Sequence, residues 1–169
     1  MQDYYSLESK GVDLWNMKQN SQRWDVFRIG SSVHNTLTIN GKNHIVNGYA
    51  NFTNIIDNLD KKGVEVDLTS TLGKAVNQAI RSVILTHDHS LEVTDYIENG
   101  DSISFVRWTI CTPAIPHITD NQSITLTQEN KQLSLKIDSP RKVDLHIWDN
   151  IPPHSYDYKN PDTYRIGYE

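Results

Sequence analysis

The sequence predicts an all-β domain, an antiparallel two-sheet β-sandwich, and three observations carry that expectation. Short runs of alternating apolar and polar residues recur along the chain, turn pairs such as Asn-Gly punctuate them, and no long stretch shows helical periodicity. Thr and Val are plentiful, as suits a pleated and half-buried surface. An apolar fraction of 37% and a mean hydropathy of -0.57 fit the thin core that two packed sheets enclose. At 169 residues and 19.4 kDa, one domain with at most a short appendage is expected.

Residues 1–22 set Tyr4, Tyr5, Leu7, Val12, Leu14, Trp15 and Met17 among polar residues in no clear period. They read as an extended or short-helical lead-in lying across another surface. Residues 24–28 read as a short strand, and Gly30, Ser31 and Ser32 as a small-residue corner. A second strand follows over residues 34–40 and closes on Asn40 and Gly41, a strong hairpin signal. Side chains alternate along a strand, so Leu37 and Ile39 fall on one face and His34, Thr36 and Thr38 on the other. The same pattern marks residues 64–68, 79–86, 91–97, 103–110, 124–127, 133–137 and 143–148, with turns at 88–90 and at Asn99 and Gly100. Beyond Asp149, Pro152, Pro153 and Pro161 among several tyrosines predict an irregular tail. The expected organisation is a lead-in over 1–22, a sandwich over 23–149 and a tail over 150–169.

Composition excludes several classes of function. A net charge of -5 offers no basic face to displace counterions from phosphates, so no nucleic-acid partner is expected. No apolar run approaches the roughly 20 residues of a membrane-spanning helix, and no membrane partner is expected. The first residues lack the basic start and apolar stretch of a signal peptide. That fits either a cytosolic protein or one whose true beginning lies upstream. Cys111 is the single cysteine, sits in a strand pattern and reads as a buried structural thiol. No G-x-S-x-G, Walker loop or C-x-x-C occurs. Glu8, Glu65, Asp67, Glu92, Asp95 and Glu98 fall at polar strand or turn positions, and none pairs with another as an obvious acid and base. Asn51 and Asn121 begin glycosylation-type triplets, a pattern that arises often by chance. Trp15, Trp24, Trp108 and Trp148 can stack on sugar rings, with core burial as the competing role.

His34 is the candidate for chemistry. Imidazole is the commonest protein metal ligand, and a strand holds a ligand more rigidly than a loop does. Zinc takes three or four protein ligands, however, and only His44 lies near in sequence. A hydrogen-bonded surface histidine is the competing role. His87 and His89 would share a face of a strand, yet with Asp88 they sit where a turn is expected. For His117, His146 and His154 the sequence identifies no partner.

The run 23–28 with Trp24 and Phe27, the strand of His34, Asn35, Thr36 and Leu37 ending on Asn40, Gly41 and Lys42, and the later runs 81–85, 91–98 and 106–109 together resemble a known family. They are similar to the C-terminal β-sandwich region of the heparinase II/III-like polysaccharide lyases, closest to the heparinase II branch, over residues 1–112. The resemblance implies a supersandwich-like fold and an upstream α-toroid domain, with an acidic polysaccharide held in the cleft between them. It implies β-elimination: a base removes the C5 proton of a uronic acid, an acid assists departure of the C4 oxygen, and a neutralised carboxylate makes that proton removable. The Tyr and His that do this would precede Met1, so no catalytic residue is expected in this stretch. The family carries a structural zinc held by two His and one Asp, and the resemblance assigns one ligand position to His34. It also places Tyr4 and Tyr5 where family aromatics approach the sugar chain. A periplasmic or secreted bacterial protein is implied, with homodimerisation left open. The rival expectations are a free-standing carbohydrate-binding module and a purely structural accessory sandwich.

Overall fold

The computed structural model describes residues 4–100 and 105–169. Its strands form three antiparallel sheets with only short helical turns between them, so the fold is all-β and sandwich-like. Two compact units divide the chain: a first of Met1–Asn43 with Phe105–Glu169, and a second of His44–Ser104.

The first unit opens on the helix α1 (Tyr4–Ser9). It ends because the N–H groups of Lys10 and Val12 both turn back to the Leu7 carbonyl, through Gly11 at φ +81°. Leu7, Val12, Leu14 and Val26 then bury together against Ile29 and Tyr156. The lead-in thus shares a small core with Val26, Ile29 and, from the tail, Tyr156, which its mixed sequence pattern had hidden. The strand expected over 24–28 does not form. Gln22–Asp25 is a 3-10 turn instead, and the N–H groups of Trp24 and Val26 bond locally to the Ser21 and Arg23 carbonyls. The Asn43 side chain donates to the Trp24 carbonyl, which leaves that carbonyl no need of a ladder.

A second 3-10 turn, Ser31–Val33, precedes β1 (Leu37–Ile39). The Asn40 and Gly41 turn forms as expected, with φ of 52° and 66° and a 3.0 Å bond from Lys42 N to the Ile39 carbonyl. It leads out of the sheet, not into a hairpin partner. β1 pairs with the distant β6 (Val106–Thr112), Leu37 opposite Trp108 and Ile39 opposite Val106. Thr38 is buried like its neighbours, because both faces of β1 are covered.

The sheet containing β1 and β6 continues through β11 (Tyr164–Tyr168) to β10 (Leu145–Trp148), in the order β1-β6-β11-β10. The tail is therefore irregular only as far as Thr163. Its last strand lies inside the sheet, paired on both sides. A second sheet is the meander β7 (Ile115–Asp120), β8 (Ser123–Gln128) and β9 (Lys131–Lys136). Ile110, Ile166, Tyr164 and Leu145 from the first sheet meet Ile124, Leu126 and Leu135 from the second, with Ala114 between. Burying each large side chain here contributes about 1.5–3 kcal/mol. This pair of sheets is the sandwich.

The second unit is a four-stranded meander of β2 (Asn51–Asp57), β3 (Lys61–Asp67), β4 (Val76–Thr86) and β5 (Leu91–Asn99). Its hairpins close as the turn residues dictate. Asn58 accepts the Asp60 and Lys61 N–H groups through its side chain, and Asp88 accepts from Thr86 and Ser90. Those donors, the Thr86 hydroxyl first, hold the Asp88 carboxyl below the ordinary carboxylate range. His87 and His89 lie in this turn, as expected.

Candidate functional site

Residues 33–36 run beside β6 without joining its ladder as a regular strand, and side chains replace the missing bonds. The Thr109 hydroxyl donates to the His34 carbonyl at 2.7 Å, and the Thr109 N–H to the Thr36 carbonyl at 3.1 Å. The Asn35 side-chain oxygen accepts the Cys111 N–H at 2.9 Å, doing the work of a backbone carbonyl. The Cys111 thiol donates to the Val33 carbonyl at 2.7 Å. Thr109 is only 1% exposed, so this stitching lies under the segment. His34 itself has an extended backbone at φ -101°, ψ 166° and an exposed side chain. Among the described residues its imidazole has no hydrogen-bond partner. The ring is therefore held at its root and open at its tip.

The other predicted residues are placed as follows. Tyr4 and Tyr5 begin α1, and their side chains lie outside the described residues. The helix they open is tied to the tail: Ser6 and the Tyr158 hydroxyl are 3.0 Å apart, and Lys10 Nζ donates to the Tyr156 carbonyl at 3.2 Å. His44 belongs to the second unit. No group of three His, Cys, Asp or Glu poised for a metal ion is found among the described residues. His34 fits a zinc site as one imidazole donor, and the described residues supply no complete set. Cys111 is half-buried, and burial pushes its thiol up against the opposing pull of Arg165.

A second constellation lies on the face of the first sheet turned away from its apolar core. Register sets it out in rows, Cys111–Arg165–Trp148 in one and Thr109–Gly167–His146 in the next. Arg107 donates from Nε to Glu169 Oε2 at 2.8 Å, with Nη2 at 2.7 Å from the same oxygen. His146 Nε2 lies 3.4 Å from Glu169 Oε1. The Trp148 ring stacks on His146 at 5.1 Å, and the guanidiniums of Arg107 and Arg165 lie 4.9 and 5.6 Å from its centre. Arg165 also sits 5.8 Å from the Phe27 ring and donates from Nη1 to the Ser32 carbonyl at 3.4 Å. Gly167 belongs here because a Cβ at that position would stand 1.8 Å from the Trp108 carbonyl oxygen. Burial first, and then the like charge of Arg107, holds the Arg165 guanidinium below the ordinary arginine range.

Sequence reasoning missed this cluster because it read the tail as irregular. The signal was present: Tyr164, Ile166 and Tyr168 alternate with Arg165 and Gly167. His146, Trp108 and Trp148 were noted singly, with nothing to say that β11 would join their strands. Trp24, Trp108 and Trp148 are half-buried, whereas Trp15 is 54% exposed.

No protein-family model matches this sequence, and no curated protein matches it.

Proposed function

We propose that this chain is the C-terminal β-sandwich portion of a periplasmic or secreted bacterial polysaccharide lyase of the heparinase II/III-like kind. Its parent breaks uronic-acid-containing glycosaminoglycans, or related acidic polysaccharides, by β-elimination. The chain forms one wall of the substrate cleft beside an upstream α-toroid domain. It lends His34 to a structural zinc whose remaining ligands lie outside the described residues. The zinc, when bound, fixes the floor of the cleft, while the proton transfers belong to residues upstream.

The observation that carries this reading is the His34 segment. Its backbone is fastened to β6 through Thr109, Asn35 and Cys111, while its imidazole is exposed and uncommitted. A ligand held in that way loses little freedom when a metal binds. Tyr4 and Tyr5, at the start of α1, are assigned to the sugar chain. A carbohydrate-binding module remains the second reading, favoured by the exposed Trp15 ring.

Incubation with heparan sulfate separates the two. The parent enzyme accumulates absorbance from the unsaturated uronate product, whereas the 169-residue chain alone accumulates none. Clear turnover by the chain alone contradicts the proposed division of labour. Sugar binding by a parent that never forms the unsaturated product favours the module.

A further inference from the structure

We infer that Arg165 is an anion-binding residue, completed by a carboxylate or sulfate group of an acidic sugar chain. The choice of a sugar chain rests on the function proposed above, whereas the need for an anion rests on geometry alone. On this face of the sheet, Arg107 and His146 both face the Glu169 carboxylate, and Arg165 lies beside them over the Trp148 ring. Glu169 is already committed: one oxygen takes two nitrogens of Arg107, and the other faces His146. Arg165 has no carboxylate partner among the described residues. Its bonding there is a single long contact to the Ser32 carbonyl, and its Nε is buried without a partner.

Arg165 is half-buried, and removing part of a guanidinium's hydration without a counter-charge is unfavourable. The Trp148 and Phe27 rings on its flanks offset part of that. They also hold the planar group in place before any ligand arrives. What they leave unmet is a planar acceptor, for which an arginine fork is suited and a lysine is not. The fold places this fork next to the segment that carries His34. Arg165 reaches Ser32 directly, and its register partner Cys111 bonds to Val33. An anion seated on Arg165 would therefore lie near the backbone segment 32–33 that precedes His34. The net charge of -5 belongs to the whole chain and does not describe Arg165, which no ion pair neutralises among the described residues.

The test uses the full chain, with binding read by calorimetry at low and high salt and folding read by thermal melting. Three probes separate the sources of the anion: an unsulfated oligogalacturonate, a dextran sulfate fragment carrying no carboxylate, and neutral dextran. The chain is expected to bind at least one anionic probe and not neutral dextran, with affinity falling as salt rises. Arg165→Gln should weaken that binding about tenfold or more, with its melting temperature unchanged or raised. Arg165→Lys should fall between, since it keeps the charge and loses the fork. The inference is overturned if no anionic probe binds, or if Arg165→Gln binds as the original does. It is equally overturned if Arg165→Gln fails to fold, because the residue is then part of the packing. Anion binding through Arg165 in a protein whose parent performs no elimination would remove the lyase reading and leave this one standing.

Discussion

In the first unit Ile166 sits at the centre of a strand and is fully buried; in the second unit Ile55 sits in a strand and is 73% exposed. Both lie in rows of apolar neighbours. Ile166 pairs across the sheet with Ile110 and Ile147, while Ile55, Val64, Val83 and Val93 form one continuous row across all four strands of the second sheet. The difference is the second layer. β7, β8 and β9 cover the first sheet, and among the described residues no comparable layer belongs to the second unit. Phe52 and Leu91 are 72% and 64% exposed on the same face as Ile55. Alternation in sequence shows which residues share a face, and the energy of burial depends on what stands opposite that face.

One chemical change made in both places breaks or sharpens this contrast. Ile166→Ala should cost about 2–5 kcal/mol, since it removes buried methylenes and leaves a cavity between two sheets. Ile55→Ala should change stability by no more than about 0.5 kcal/mol. Urea denaturation of the two variants, followed by circular dichroism, measures both, and equal losses would show that the second sheet is covered in solution. Arg81→Ala falls between them. Arg81 and Asp95 form a two-pronged ion pair at 2.7 and 2.9 Å on that open face, with side chains 14% and 7% exposed. Its loss leaves Asp95 without its partner and should cost about 3 kcal/mol in the same assay.

Much of the fold was legible because its signals were local. Residues 79–86 and 91–97 alternate cleanly, and the intervening Asp88 turn bonds to its own neighbours, so β4 and β5 were expected nearly where they stand. Other strands were hidden by particular residues. Pro116 lies in β7 and hides it, because a proline argues against a strand except at an edge, where its missing N–H is tolerated. Gly167 and Pro161 disguised β11, which forms because two neighbouring strands supply its bonds. β2 breaks the alternation, because a bulge between Phe52 and Asn54 shifts its register, and pairing with β3 fixes it. His34 was legible as a candidate by residue type and position. Its place outside the strand was not, since it depends on Asn35, Thr109 and Cys111, which are far apart in sequence. The Arg165 cluster is assembled by long-range pairing, and its one local trace was the alternation over residues 164–168.

Zinc content of the purified parent protein, by atomic emission, bears most directly on the role of His34. The unmodified protein should retain about one zinc per chain. The His34→Ala variant should lose at least nine-tenths of it after dialysis while still folding, and His44→Ala should keep it. Equal zinc in the unmodified protein and the His34→Ala variant would contradict a ligand role for His34, and with it the lyase reading of this chain.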